Sequence, residues 1–253
     1  MKYLYLAPHF DDVAYSCSGH IALVAAQEGH ESHLATVFPQ EINCQTSEQL
    51  NEQNTGQNEP QKAKPFLSPR VKGDHALCQE FDLVSHLLPF VDAIYRGYSL
   101  EDDASCRVFN DYSDAEEIDV TIAIETLVNE IQPDVVYAPL AIGNHVDHRL
   151  VRNAVLNLHA REPGYRIEFY EDIPYVMSQP VNPAIAEQMS PHYIDITKVL
   201  DKKIDAMLCY ENETCFHFGE RSDLEQVLRS YGAFKAEEFG QSGLFECFWV
   251  PRD

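Results

Sequence analysis

Two apolar runs of strand length, far apart in the chain, are each followed by a cluster of histidine and aspartate. The first run, Tyr3-Leu4-Tyr5-Leu6-Ala7, leads into Pro8-His9-Phe10-Asp11-Asp12. The second, Asp134-Val135-Val136-Tyr137-Ala138-Pro139-Leu140, leads shortly into Asn144-His145-Val146-Asp147-His148. Open α/β sheets bind ligands outside the carboxyl ends of their strands. Two strand-end clusters of this kind can therefore face one site. Imidazole plus carboxylate, with no thiolate, suits a catalytic zinc with three protein ligands and one open position.

The rest of the chain reads as a continuation of that pattern. Met1–Ala7 predicts a strand, Val13–Gly29 a helix and Glu31–Phe38 a second strand. A β-α-β unit of this kind implies a parallel pair with a right-handed crossover. Residues 71–81 predict a helix and 83–90 a third strand or part of one, while 92–111 is polar and should be loop-rich. Asp114–Ile131 predicts a helix with Ile118, Ile122, Leu127 and Ile131 on its apolar face and acids in its first turn. Strands are expected at 134–139, 166–170, 193–196 and 243–250, and helices at 147–160, 198–210 and 222–234. Pro39 to Pro69 is rich in Gln, Asn, Glu, Ser and Thr and cannot bury much area. It reads as a long surface loop, either a plain insertion or a lid. No linker or repeat divides the chain, so 1–253 is expected to be one α/β domain with C-terminal elaborations.

Composition narrows the partners. The chain has 253 residues, 45% of them hydrophobic, enough for a sizeable core. A net charge of −23 repels phosphate backbones and anionic membranes, so neither nucleic acid nor a membrane is an expected partner. No apolar stretch reaches about 18 residues, and Met1-Lys2 leads straight into a strand rather than a signal-peptide core. Seven cysteines without CxxC spacing fit reduced thiols in the cytoplasm. Homo-oligomerisation is left open.

His9-Phe10-Asp11-Asp12 together with His145-Val146-Asp147-His148 resembles the paired signature of the PIG-L/LmbE family, zinc-dependent de-N-acetylases of N-acetylglucosamine-type substrates. The first motif there usually reads His-Pro-Asp-Asp, often followed by Glu; here Phe10 and Val13 stand in those two places. Ser16-Cys17-Ser18-Gly19, Asp92-Ala93-Ile94-Tyr95-Arg96 and Tyr170-Glu171-Asp172-Ile173-Pro174-Tyr175 also resemble stretches of one branch of the family. The resemblance implies a Rossmann-like α/β fold, with a mostly parallel sheet and helices on both faces. It also implies a hydrolase that removes acetyl from an N-acetylated sugar or sugar conjugate. The alternatives are a glycan-binding relative without turnover and an amidohydrolase acting on a non-sugar acylated amine.

Carried over position by position, the family motifs make His9, Asp12 and His148 the metal ligands, with zinc expected and iron(II) the alternative. Adjacent carboxylates diverge, which leaves Asp11 free to act as general base on the attacking water. His145, as an imidazolium, is expected to stabilise the oxyanion and protonate the leaving amine. Asp147 is expected to hold a neighbouring imidazole in its working tautomer, or to be a plain helix cap. Arg96, Asn144, Glu171 and Tyr175 are the expected substrate contacts, with Asp172 grouped beside Glu171 and Tyr175 in a strand-end cluster suited to a sugar or to a turn around Pro174; Arg70 matches a family arginine loosely and reads more readily as a salt-bridge residue. Cys17 reads as a small buried side chain, and Gly19 as a point of close approach rather than part of a dinucleotide loop.

Overall fold

The computed structural model describes residues 1–39, 68–99, 108–109, 112–161 and 163–252. Most of the expected loop between Pro39 and Pro69 lies outside the described residues, as does part of 92–111. Seven strands form one sheet: β1 (Lys2–Ala7), β2 (Glu31–Thr36), β3 (Leu83–Leu87), β4 (Val135–Pro139), β5 (Arg166–Tyr170), β6 (Met189–Asp195) and β7 (Phe245–Pro251). Their order across the sheet is β3-β2-β1-β4-β5-β7-β6. The first five pair in parallel, and β7 runs antiparallel to both β5 and β6.

Alternation along β1 shows why the sheet is central. Tyr3, Tyr5 and Ala7 enter one buried cluster, Leu4 and Leu6 the other. Both faces are covered, as a parallel sheet requires. One face carries α1 (Asp12–Ala25), α2 (Pro69–Phe81), α6 (Leu200–Leu208), α7 (Glu211–Phe218) and α8 (Arg221–Phe239). The other carries α3 (Asp114–Ile131) and α4 (Val146–Arg161); the short α5 (Pro183–Gln188) leads into β6. Among the described residues, no helix is long and apolar enough to cross a membrane.

Local chemistry sets the helix ends. The Ser68 side chain accepts from the Val71 N–H, and Pro69 opens α2. Ser113 and Glu116 form a reciprocal capping box on α3, which ends at Gln132 in a left-handed conformation. On α1, Gly19 lets a buried ion pair reach the backbone. Lys203 donates to Glu246 at 2.6 Å, and Glu246 accepts the N–H groups of Gly19 and His20 at 2.9 and 2.8 Å. A Cβ on Gly19 would stand 2.7 Å from Glu246 Oε1 and from Ile196.

Several expected elements are corrected. The apolar face of α3 is Val120, Ile124, Leu127, Val128 and Ile131, whereas Ile118 and Ile122 are more than half exposed. The gap of five residues from Ile122 to Leu127 breaks the helical stripe, while 120, 124, 127, 128 and 131 keep it. The third strand takes up part of 83–90, within the expected range, and stops at Leu87 because Pro89 has no N–H to continue the ladder. β6 begins at Met189, four residues before the expected start, because Pro191 is tolerated on an edge strand. The short helices α5 and α7 went unread because periodicity cannot identify so few turns.

Strand order reverses between β1 and β4, its chain neighbours lying on opposite sides. Such a switch point opens a crevice at the carboxyl ends of the two strands. Both His/Asp motifs follow those ends.

Candidate metal centre

The two motifs meet in this crevice. Nδ1 of His9 lies 3.4 Å from Oδ2 of Asp12, and Nε2 of His148 lies 3.4 Å from the same oxygen. One donor atom from each of His9, Asp12 and His148 falls within 4.8 Å of the others, and all three residues are buried. Asp12 is held in place by the backbone N–H of His9, which donates to Oδ2 at 2.7 Å.

Each imidazole has a carboxylate on its opposite nitrogen. His9 Nε2 donates to Asp147 Oδ2 at 2.9 Å, and His148 Nδ1 donates to Asp172 Oδ1 at 2.7 Å. These bonds leave His9 Nδ1 and His148 Nε2 facing Asp12. A carboxylate behind each ligating imidazole fixes its tautomer and orientation. The donor set thus suits a divalent cation of borderline softness.

The electrostatics agree. Burial alone would lower the pKa of His9, but its hydrogen bonds to Asp12 and Asp147 outweigh burial and raise it well above the usual value. Burial likewise opposes a charged His148, yet the Asp12 and Asp172 carboxylates raise its pKa. Burial would raise Asp12, and the His148 and His9 rings bring it well below the usual carboxylate range instead. The cluster therefore favours positive charge at its centre.

Asp11 occupies the N-cap position of α1 but makes no side-chain cap bond. Its carboxylate is thus not spent on the helix end. Arg70 Nη2 donates to Asp11 Oδ1 at 3.2 Å, so Arg70 has the salt-bridge duty the sequence suggests.

His145 is also buried, with its ring edge-on to His9 at 5.0 Å and to His148 at 5.3 Å. The backbone N–H of Asp147 donates to His145 Nδ1 at 3.2 Å, which leaves the ring proton on Nε2. Burial, then the nearby His9 and His148, lowers its pKa to about 3. With Nδ1 accepting that N–H, the neutral ring is the form that fits this place, rather than the expected imidazolium, and it offers one N–H at Nε2.

The turn between β4 and α4 carries unusual backbone. Ala141, Gly143 and Asn144 all have positive φ, at 63°, 89° and 60°. Such strain persists only where the surroundings over-determine it. Here the Ile142 N–H donates to Asp172 Oδ2 at 2.8 Å, and a Cβ on Gly143 would stand 2.6 Å from the Tyr175 ring. Tyr175 in turn meets His148 edge-on at 5.7 Å. Asn144 is exposed at the rim.

Two expected substrate contacts are corrected. Glu171 is buried in a network with Lys235 at 2.9 Å, Trp249 at 3.0 Å and Tyr231, so its carboxylate is already committed. Arg96 spends its three nitrogens on Asp147, Glu116 and the Val91 carbonyl. In the other direction, the sequence reading grouped Asp172 with sugar contacts and missed it as the partner of His148. The available signal was a carboxylate at the end of β5, the strand next to β4.

The family profile for PIG-L, described as GlcNAc-PI de-N-acetylase, matches residues 4–159. The chain belongs to the PIG-L family. The PIG-L match runs from β1 almost to the end of α4 and so contains both His/Asp motifs, whereas Asp172 and Tyr175 lie beyond it. One relative is a 2'-N-acetylparomamine deacetylase of Streptomyces fradiae, 33% identical in an alignment of 225 residues that covers 83% of this chain and 73% of the relative. A protein of the same description from Niallia circulans is 28% identical in an alignment of 192 residues that covers 68% of this chain and 67% of its own. The zinc-inhibited form of a teicoplanin deacetylase shares the fold, with a TM-score of 0.75 at 22% identity over 100% of this chain and 99% of that one.

Proposed function

We propose that this PIG-L protein is a zinc-dependent hydrolase that removes acetyl from an N-acetylated amino sugar carried on a larger conjugate. The observation that carries the reading is the convergence of His9 Nδ1, Asp12 Oδ2 and His148 Nε2, with Asp11 beside them and uncommitted to its helix. The curated relatives, both deacetylases of an N-acetylated amine, support the choice of amide and of conjugate. A net charge of −23 favours a substrate with ammonium groups over a phosphorylated one.

His9, Asp12 and His148 would hold the metal. When bound, it supplies Lewis acidity, which polarises the acetamide carbonyl and makes water nucleophilic near neutral pH. Asp11 takes the proton from the attacking water and returns it to the departing nitrogen, because an amine anion is a very poor leaving group. The Nε2–H of neutral His145 donates to the carbonyl oxygen as negative charge develops there. Asp147 and Asp172 keep the His9 and His148 rings from turning. Tyr175 and Asn144, at the rim, are the residues placed to meet the sugar. Five described cysteines carry free thiols, which fits a reducing compartment, and we place the chain in the cytoplasm.

The test is product stoichiometry on 2'-N-acetylparomamine and on N-acetylglucosamine glycosides. Equal acetate and free amine, lost in Asp11→Asn, support the reading. Intact substrate with a fully metal-loaded protein, across all these amides, contradicts it.

A further inference from the structure

Arg96 follows the 3-10 turn Ala93–Tyr95, on the far side of Asp147 from His9. Asp147 has no exposed surface. Its Oδ2 accepts from His9 Nε2 at 2.9 Å and from the Ala93 N–H at 3.0 Å, while its Oδ1 accepts from Arg96 Nη2 at 2.7 Å. One short turn thus grips both oxygens of the carboxylate, once through backbone and once through a guanidinium. Arg96 is itself anchored. Nη1 donates to the Val91 carbonyl at 2.6 Å and Nε to Glu116 at 3.0 Å, and the guanidinium lies over the rings of Phe38 and Tyr98 at 4.8 and 5.4 Å. Glu116 belongs to the capping box of α3, so the anchor reaches the start of that helix, which packs on the same sheet face as α4.

We propose that Arg96 is a positioning residue for the metal centre: it fixes the plane of the Asp147 carboxylate, and through it the ring of His9, so that Nδ1 of His9 faces Asp12 and His148. The inference deepens the metal reading above and rests on it. A buried carboxylate without its charged donor can rotate, and an imidazole whose acceptor moves can present the wrong nitrogen. The outer partners of metal-ligating histidines set metal affinity in this way. Lysine is not an equivalent: one ammonium cannot serve Asp147, Glu116 and the Val91 carbonyl together, as the planar fork does.

The test is zinc affinity of the full chain, by competition with a chromophoric chelator, for wild type, Arg96→Met, Arg96→Lys and Glu116→Gln. Near-UV circular dichroism reports whether each variant is folded. The expected result is zinc binding weakened about 10-fold or more in Arg96→Met, with Arg96→Lys between it and wild type and Glu116→Gln weakened less. Cobalt(II) substituted for zinc should show a changed visible spectrum in Arg96→Met, which a merely structural role would not produce. Should Arg96→Met not fold, Arg96→Lys and Glu116→Gln carry the test. Folded variants that bind zinc like wild type overturn the inference while leaving the metal reading intact. A wild-type chain that binds no zinc overturns the metal reading, and the inference with it.

Discussion

Nδ1 of His148 donates to Oδ1 of Asp172 at 2.7 Å, and neither side chain has more than 1% of its surface exposed. The other oxygen of Asp172 accepts the Ile142 N–H at 2.8 Å. One carboxylate therefore ties β5 to an imidazole of the candidate metal centre and to the strained turn before α4. Asp172→Ala is expected to weaken zinc binding about 10–100-fold, with turnover at limiting zinc falling in step. Chelator competition measures it. Affinity equal to wild type would mean that Asp172 serves the turn alone.

Asp11 and Asp12 are neighbours with different fates. Asp12 faces both imidazoles, while Asp11 meets Arg70 and leaves the helix end uncapped. Asp11→Asn should therefore retain its metal and lose about 10²–10⁴-fold in kcat, the scale of one general acid–base group. Metal content and kcat, measured on the same sample, check this together. Full metal with near-full turnover would remove Asp11 from the chemistry.

These two carboxylates also show how much of the site was legible. The motifs named the residues, and the β-α-β pattern put them at strand ends. Asp147 was legible as the holder of an imidazole, but not that the ring is His9, nor that Asp172 backs His148, because each pairing joins segments that are separated in sequence and meet only through the order β1-β4-β5. Arg96 and Glu171 were misread for the same reason. A charged residue near a motif looks like a ligand contact until its buried partners, Asp147 for one and Lys235 for the other, are in view. The fold was clearest in the bounds of α3, which match those expected from sequence although Ile118 and Ile122 of its expected apolar face point outward. It was least clear in β6, where an edge position overrode the usual meaning of proline.

Gly19 offers a test of packing against propensity. Alanine in place of glycine favours a helix interior by about 1 kcal/mol. At this position the new methyl meets Glu246 and Ile196 at 2.7 Å, and overpacking a core costs about 1–3 kcal/mol. Glu246 has little room to retreat, since it is buried against Lys203 and two backbone N–H groups. Gly19→Ala should be destabilising in urea unfolding. A stabilised variant would show that the Lys203–Glu246 pair shifts freely.

His20 should give the fold an acid sensitivity. Burial lowers its pKa to about 4 from the usual 6.5, with Nδ1 against the Tyr5 hydroxyl at 3.1 Å. Between those two values the unfolded chain binds a proton that the folded chain excludes. Stability is lost as pH falls from about 6.5 towards 4, by about 3 kcal/mol at one pH unit per 1.36 kcal/mol. Urea unfolding at pH 7 and pH 4.5 should show a smaller drop in His20→Phe than in wild type. Equal drops would mean that His20 takes up its proton in the folded state at its ordinary pKa.

The most direct measurement is a zinc titration of chelator-stripped protein, with amine release from 2'-N-acetylparomamine as the readout. The account predicts no turnover without metal, activity rising to a break at one equivalent of zinc, and no recovery in His148→Ala at that equivalent. Undiminished amine release from the stripped protein, or from His148→Ala, would contradict a reaction centred on His9, Asp12 and His148.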